Sequence, residues 1–155
     1  MYLCSSDIIK AVITPDRKAF LQRRLRNAAK DQPDLKLLKS LLLKIGGEYL
    51  VAPPKFDPDI PMLLRNGFVM SGDIKAKIMR TSMCHQNVAA AWRNHKTGVV
   101  AIATGYALSD DGLWRQHSWG ILRNGILETT ELRVRYFGIL LQDARADEFA
   151  EANKA

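Results

Sequence analysis

The chain has 155 residues, of which 47% are hydrophobic and 25% are charged, and its formal net charge is +7. This length suits one domain with its own core, and the composition excludes a disordered or fibrous chain. The longest apolar runs fall far short of a membrane span. The first six residues lack the basic and long apolar regions of a secretory signal, so we expect a cytoplasmic protein, with export by a signal-less route left open.

The basic residues are concentrated in the first third of the chain. They are Arg17, Lys18, Arg23, Arg24, Arg26 and Lys30. A basic surface attracts nucleic acid, anionic membranes or an acidic partner. Aromatic residues are not interleaved with these cations as they are in single-strand-binding grooves. We therefore expect no direct nucleic-acid function and retain an acidic partner as the consequence of the charge.

Two helices are predicted in the first 46 residues. Thr14 can cap the first helix and Pro15 fits its first position, so this helix should run to about Lys30. Its apolar face is predicted to comprise Phe20, Leu21, Leu25 and Ala28. After a break at 31–34, with Asp34 as a cap, a leucine-rich helix is apolar on more than one side and should be buried until Gly46-Gly47 closes it.

The middle of the chain is predicted to be a boundary within one domain spanning 1–155. Residues 48–61 carry four prolines, which is typical of a long loop. Short helices are predicted near 61–65 and 73–79. The chain thus divides into a helical N-terminal subregion, 1–60, and a core at 80–138.

The second half of the chain is predicted to run helix, strand, strand, strand, helix. The first helix carries Cys84, with Thr81 or Ser82 as its cap. Apolar and β-branched residues favour a strand at 99–108, and a hairpin is predicted from 113–122 and 126–130. The polar stretch from about Leu141 is predicted to be helical or frayed.

A nucleophilic site is predicted from the order of three residue types along this half. Cys84 lies in the first turn of its helix, where unpaired amides and the helix dipole favour a thiolate. His117 follows on a strand, and an acid follows beyond a turn. In such a site the imidazole accepts the thiol proton and the acid holds the imidazole in the required tautomer.

The register of the hairpin leaves the acid open. A loop of Arg123-Asn124-Gly125 places Glu131 opposite His117, whereas a loop of 122–125 makes Glu128 the diagonal neighbour of His117. A two-residue Asn124-Gly125 turn places Glu128 on the same face but too far along. Two competing histidines are less suitable: His85 points about 100° away from Cys84 around the helix, and His95 lies at the helix end.

Several other residues are candidates for supporting roles. The backbone amide of Cys84 is the natural first donor of an oxyanion hole, and Gln86, Asn87 or Gln116 could supply a second. Trp119, Tyr106 and Trp114 are candidates for a substrate cleft, with sheet packing as the alternative. We expect no disulfide between Cys4 and Cys84, because disulfides are rare in a reducing compartment. No Cys/His spacing indicates a metal site, and we expect no cofactor.

Residues 80–138 resemble the transglutaminase-like proteins of the papain-like superfamily. The stretch Gly98 to Ala107 is similar to the strand after the nucleophile helix, and His117-Ser118-Trp119 resembles the family's His-x-Trp. Glu128-Thr129-Thr130 stands where the family has Asp-Pro-Thr, which differs in the Glu and the missing Pro. This position favours Glu128 over Glu131 as the third residue.

The resemblance implies an α+β fold in which the nucleophile helix packs on an antiparallel sheet of at least three strands. It implies a cysteine-dependent enzyme that acts on an amide of a protein or peptide through a thioacyl intermediate: a protease, a deamidase or a transglutaminase. The alternative is an inactive binding module that uses its basic N-terminal helices. A third, weaker alternative is acyl transfer from a thioester cofactor.

Overall fold

The computed structural model describes residues 13–155. The helices are α1 (Pro15–Asp31), α2 (Leu35–Ile45), α3 (Ile60–Asn66), α4 (Cys84–Arg93) and α5 (Asp143–Ala152). The strands are β1 (Tyr49–Leu50), β2 (Phe68–Met70), β3 (Asp73–Ala76), β4 (Val99–Leu108), β5 (Leu113–Leu122), β6 (Gly125–Glu128) and β7 (Arg135–Leu141). The fold class is therefore α+β, as predicted.

The seven strands form one mixed sheet. Its order is β2-β7-β4-β5-β6-β3, and β1 pairs in parallel with β5 beside this path. The central strand β4 is antiparallel to both β5 and β7, whereas β3 and β6 are parallel. Strands β2 and β3 lie at opposite ends of this order, yet only Ser71-Gly72 separates them in the chain. So short a connection requires the sheet to curl until its two edges meet.

The curled sheet has a helix-covered outer face and an inner face. On the outer face, α1, α2 and α3 share one hydrophobic cluster with Tyr106, Leu108, Trp114 and Phe137. On the inner face, Trp119 and Tyr136 pack with small residues and Ile126. The N-terminal helices therefore bury their apolar sides on the same sheet that carries His117.

Most of the predicted elements are present where the sequence placed them. Helix α1 starts after Thr14, whose side chain accepts a hydrogen bond from the amide of Arg17 at 3.3 Å. Strands β4 and β5 have the predicted bounds, α3 covers the predicted short helix, and the C-terminal stretch contains α5.

Four predictions were wrong. The second half contains a fourth strand, β7, which the predicted order of helix, three strands and helix did not include. The stretch 73–79 is not helical, because 73–76 pairs with β6 as strand β3 although all its side chains are exposed. Helix α4 begins at Cys84 with Met83 as its cap residue, so neither Thr81 nor Ser82 caps it. Phe20 is 49% exposed, because the buried row of α1 is Leu21, Leu25 and Ala29.

Two further predictions concern the absence of a membrane span and the pairing of Cys4. Within residues 13–155, none of the helices has the length and apolar character needed to cross a bilayer. Cys4, and with it the question of a Cys4–Cys84 disulfide, lies outside the described residues.

Candidate active site

Small residues bring helix α4 close to the sheet. Ala89 and Ala91 of the helix are buried, and Val88 packs with Ile102 of β4 and Ala146 of α5. Since alanine side chains add little width, the helix axis can approach the strands closely. Cys84, the first residue of the helix, is thereby brought to the edge of β5.

An interruption in strand pairing gives Cys84 its place beside His117. On the side away from β4, strand β5 pairs with β1 only at Leu113–Trp114 and with β6 only at Gly120–Leu122. Among the described strands, none covers residues 115–119 on that side. Cys84 is near enough to this part of β5 for the backbone of Ser118 to lower the pKa of its thiol.

The loop before α4 is tied to the strand that carries Glu128. The amide of Lys77 donates to the carbonyl of Glu128 at 2.8 Å, and that of Met79 donates to Thr129 at 2.7 Å. Ser82 then adopts a left-handed backbone conformation with φ of 60°, which is uncommon for a residue other than glycine. These features fix where the helix begins, and with it the position of the sulfur.

The structure brings His117 and Glu128 together. Nε2 of His117 donates to both oxygens of the Glu128 carboxylate, at 2.8 and 2.9 Å, and the two side chains are 1% and 0% exposed. Strand β6 pairs Leu127 with Gly120 and Ile126 with Ile121, which makes Glu128 the diagonal neighbour of His117. This is the register that was predicted for a loop of 122–125. Leu122 and Gly125 are themselves paired, so the turn consists of Arg123 and Asn124.

Glu131, the alternative acid, faces away from the imidazole. Its side chain is 67% exposed, and its carboxylate forms an ion pair with Arg133 at 3.3 Å. Of the two candidate acids, only Glu128 contacts His117.

A small polar group surrounds the Glu128 carboxylate. Thr130 donates to Oε1 at 3.3 Å and the phenol of Tyr136 donates to Oε2 at 3.4 Å. Nε of Arg133 lies 3.6 Å from Oε1, and the other end of this guanidinium donates to Ser109 at 2.7 Å. These partners satisfy the buried carboxylate and hold it in one orientation.

The surroundings of Cys84 lower the pKa of its thiol. Burial by itself raises that pKa, but the hydrogen bond and charge of His117, the backbone of Ser118 and the positive charge of Arg133 outweigh it. A thiol with a lowered pKa is more fully ionised near neutral pH, which is the form that acts as a nucleophile.

The pKa of His117 is shifted in the opposite direction. Burial by itself lowers it, but the hydrogen bonds to Cys84 and Glu128 and the charges of both raise it above its ordinary value. Because Glu128 occupies Nε2, Nδ1 is the ring nitrogen left for the sulfur. One imidazole therefore serves both a thiol and a carboxylate.

Aromatic rings cover the imidazole on the inner face of the sheet. Trp119 is stacked on His117 with ring centroids 5.9 Å apart and planes inclined by 22°, and Tyr136 lies 6.4 Å away. Trp119 is fully buried, so in this structure it shields His117 from water and presents no surface to a substrate.

His85 forms a second hydrogen-bonded group behind the site, which the sequence analysis did not predict. Its Nδ1 lies 2.6 Å from the hydroxyl of Ser118, which in turn lies 2.9 Å from that of Thr104. Burial and the charge of His117 lower the pKa of His85, against the opposing effect of Asp57. His95, by contrast, is exposed in a short 3-10 turn after α4.

The three side-chain amides that could supply the second oxyanion-hole donor differ in burial and in hydrogen bonding. Asn87 is buried, and its side chain donates to the carbonyl of Arg80 at 2.8 Å, so this amide is engaged in holding the preceding loop. Gln86 and Gln116 are half-buried and form no side-chain hydrogen bond within residues 13–155.

The first hydrogen bond of α4 runs from the amide of Asn87 to the carbonyl of Met83, which leaves the backbone amide of Cys84 without a partner inside the helix.

The other candidate cleft residues belong to the core. Trp114 and Tyr106 are fully buried on the outer face of the sheet. The indole of Trp114 donates to the carbonyl of Gly46 at 2.8 Å, and the phenol of Tyr106 donates to the carboxylate of Asp57 at 2.8 Å. Both aromatic side chains thus connect the sheet to the N-terminal region.

Within the described part of the chain, no group of three His, Cys, Asp or Glu residues is arranged to hold a metal ion. Comparisons of the chain with protein-family models, with curated proteins and with solved structures found no match. The resemblance to the papain-like superfamily therefore rests on the sequence motifs alone.

Proposed function

We propose that this protein is a cysteine-dependent acyl-transfer enzyme of the papain/transglutaminase-like type, acting on an amide of a protein or peptide. One observation carries the proposal: the buried imidazole of His117 binds the Glu128 carboxylate through Nε2, and that same imidazole lowers the pKa of the Cys84 thiol. A cysteine that served only as a small core residue would need neither partner.

In the first step, the Cys84 thiolate attacks the carbonyl carbon of the amide. A C–S bond forms and the carbonyl electron pair moves to the oxygen, where the unpaired amide of Cys84 at the start of α4 is placed to stabilise the negative charge. Protonated His117 then gives its Nδ1 proton to the amide nitrogen as the C–N bond breaks. An amine leaves, and a thioacyl enzyme remains.

In the second step, His117 acts as the base. It takes a proton from water or from a second amine, whose oxygen or nitrogen attacks the thioacyl carbon, and the C–S bond breaks to regenerate the thiolate. Water as the acceptor gives a protease or deamidase, and an amine gives a transglutaminase. Glu128 holds the Nε2 proton throughout and keeps Nδ1 directed at the sulfur.

The proposal is tested by acylating the protein with p-nitrophenyl acetate and following the intact mass. A Cys4→Ser background leaves Cys84 as the sole thiol, since the chain has two cysteines. An activated ester is used because its leaving group departs without the proton that an amine needs. We expect rapid acetylation of Cys84 near neutral pH, followed by release to water or to added methylamine.

The matched variants are Cys84→Ser and His117→Asn in the same background. Both should lose rapid acetylation, since the first lacks the thiolate and the second lacks the base. Slow acetylation of Cys84 that is unchanged in His117→Asn would refute the proposed enzyme and favour the binding module.

A further inference from the structure

Helices α1 and α2 carry nearly all of the net charge of the molecule. Residues 15–45 contain nine Lys or Arg and three Asp, a net charge of +6, against +7 for the whole chain. None of these nine basic residues forms an ion pair with another described residue. The charge is therefore directed outward and is not neutralised by the fold.

The two helices present this charge on one side of the molecule. Both bury one row of side chains in the same hydrophobic cluster on the outer face of the sheet, so their opposite sides face solvent together. We define the basic face as four of these cations and two large apolar side chains that are exposed on those opposite sides: Phe20, Arg23, Arg24, Lys30, Leu37 and Lys44. Asp16 and Ser40 are also exposed there, so the face keeps a net positive charge of +3.

Two large apolar side chains stand within the basic face. Phe20 is 49% exposed and Leu37 is 63% exposed. Arg23 and Arg24 follow Phe20 at the spacings that place side chains together on a helix, and the guanidinium of Arg24 lies 5.8 Å from the Phe20 ring. Lys44 lies two turns after Leu37 on the same side of α2.

We propose that the basic face docks on an anionic membrane surface. Cations around protruding apolar side chains match an interface in which acidic headgroups lie above an acyl boundary. A nucleic-acid backbone would satisfy the cations but would offer no apolar environment to an aliphatic side chain such as Leu37. The proposal concerns binding to the surface of a bilayer, and it is independent of the proposed enzyme activity.

The test is cosedimentation of the full chain with vesicles of phosphatidylcholine, with and without phosphatidylserine. We expect binding that requires phosphatidylserine and weakens as salt is added. The charge variant is Arg23→Glu/Arg24→Glu/Lys30→Glu. Its matched control, Lys75→Glu/Lys96→Glu/Arg123→Glu, makes the same change in net charge at exposed residues outside these helices.

The charge variant should lose at least about tenfold in affinity for the acidic vesicles, whereas the control should lose much less. Phe20→Ser/Leu37→Ser should also weaken binding, and Val69→Ser/Val100→Ser, at residues 43% and 49% exposed, should leave it unchanged. Alkylation of Cys84 checks that each variant is folded and reports separately on the candidate active site.

Three results would overturn the proposal. The first is no binding to the acidic vesicles. The second is equal loss in the charge variant and its control, which would indicate bulk charge alone. The third is binding of an oligonucleotide or an acidic protein through these residues in the absence of any vesicle binding.

Discussion

Nε2 of His117 lies 2.8 and 2.9 Å from the two carboxylate oxygens of Glu128, and both side chains are almost completely buried. Since this contact occupies one ring nitrogen, it determines which nitrogen faces Cys84. The orientation of the imidazole, and not only its proximity to the sulfur, is thereby fixed by an acid on a neighbouring strand.

The first prediction concerns that acid. Glu128→Gln should lower acyl transfer to p-nitrophenyl acetate by about a hundredfold or more, because an amide can donate to Nε2 and so stabilise the wrong tautomer. The measurement is the acetylation rate of Cys84 by intact mass. Glu131→Gln is the matched control and should keep the wild-type rate, since the Glu131 side chain is 67% exposed and does not contact His117.

The second prediction concerns Arg133, whose positive charge contributes to lowering the pKa of the Cys84 thiol. Arg133→Met removes that charge while keeping much of the side-chain volume. The pKa of Cys84 should rise, so the pH at which iodoacetamide labelling reaches half its maximum should move upward. A profile that overlies the wild type would show that the charge of Arg133 does not reach the sulfur.

The third prediction separates the roles of His85 and His117. His85→Phe keeps a ring against Phe149, to which His85 packs edge-on at 6.0 Å, but loses the hydrogen bond to Ser118. The labelling profile of Cys84 should stay close to the wild type, because the lowered pKa of His85 leaves it neutral near pH 7. Stability should fall by about 1 kcal/mol in urea unfolding. A profile like that of a His117 variant would identify His85 as the base.

The fourth prediction concerns stability away from the site. Tyr106→Phe removes the hydroxyl that donates to the buried Asp57 carboxylate at 2.8 Å. Leaving a buried acceptor short of a partner should cost about 1–3 kcal/mol of unfolding free energy. The rate of Cys84 acetylation in the folded variant should be unchanged, and a large loss of that rate would mean that Tyr106 acts on the site.

The sequence was sufficient to predict the helices and strands that depend on a local residue pattern. Strand β4 was predicted with its bounds because it is rich in apolar and β-branched residues, and β5 because turn residues lie on both sides of it. Cys84 and His117 were identified because a thiol at a helix start and a histidine on a strand are local features. In the structure each of these two side chains shifts the pKa of the other, and their roles stay predictions.

Local pattern could not decide the hairpin register, because three different loops fit the same residues. The observed register also depends on β3, which pairs with β6 from the other side. Residues 73–79, which contain β3, were predicted to be helical, and β7 was not predicted at all. The register and these two strands depend on pairing between residues far apart in the sequence. A short strand that is exposed or contains glycine shows little local pattern from which such pairing could be predicted.

The contact between His85 and Ser118 was missed for a similar reason. The helix geometry correctly indicated that His85 points away from Cys84. Which residue His85 contacts depends on how α4 packs against β5, and the sequence pattern does not indicate that packing. Trp119 was a candidate for a substrate cleft because alternation places it on the same face as His117, as observed, but does not show that this face is covered.

The most direct test of the account is the rate of iodoacetamide labelling of Cys84 as a function of pH, in Cys4→Ser and in Cys4→Ser/His117→Asn. Because His117 lowers the pKa of the thiol, labelling in the first protein should persist well below the ordinary thiol value of 9.0. Removing the imidazole should shift the profile upward toward that value. Two superimposable profiles centred near 9.0 would show that Cys84 and His117 are not coupled, and would contradict the proposed enzyme.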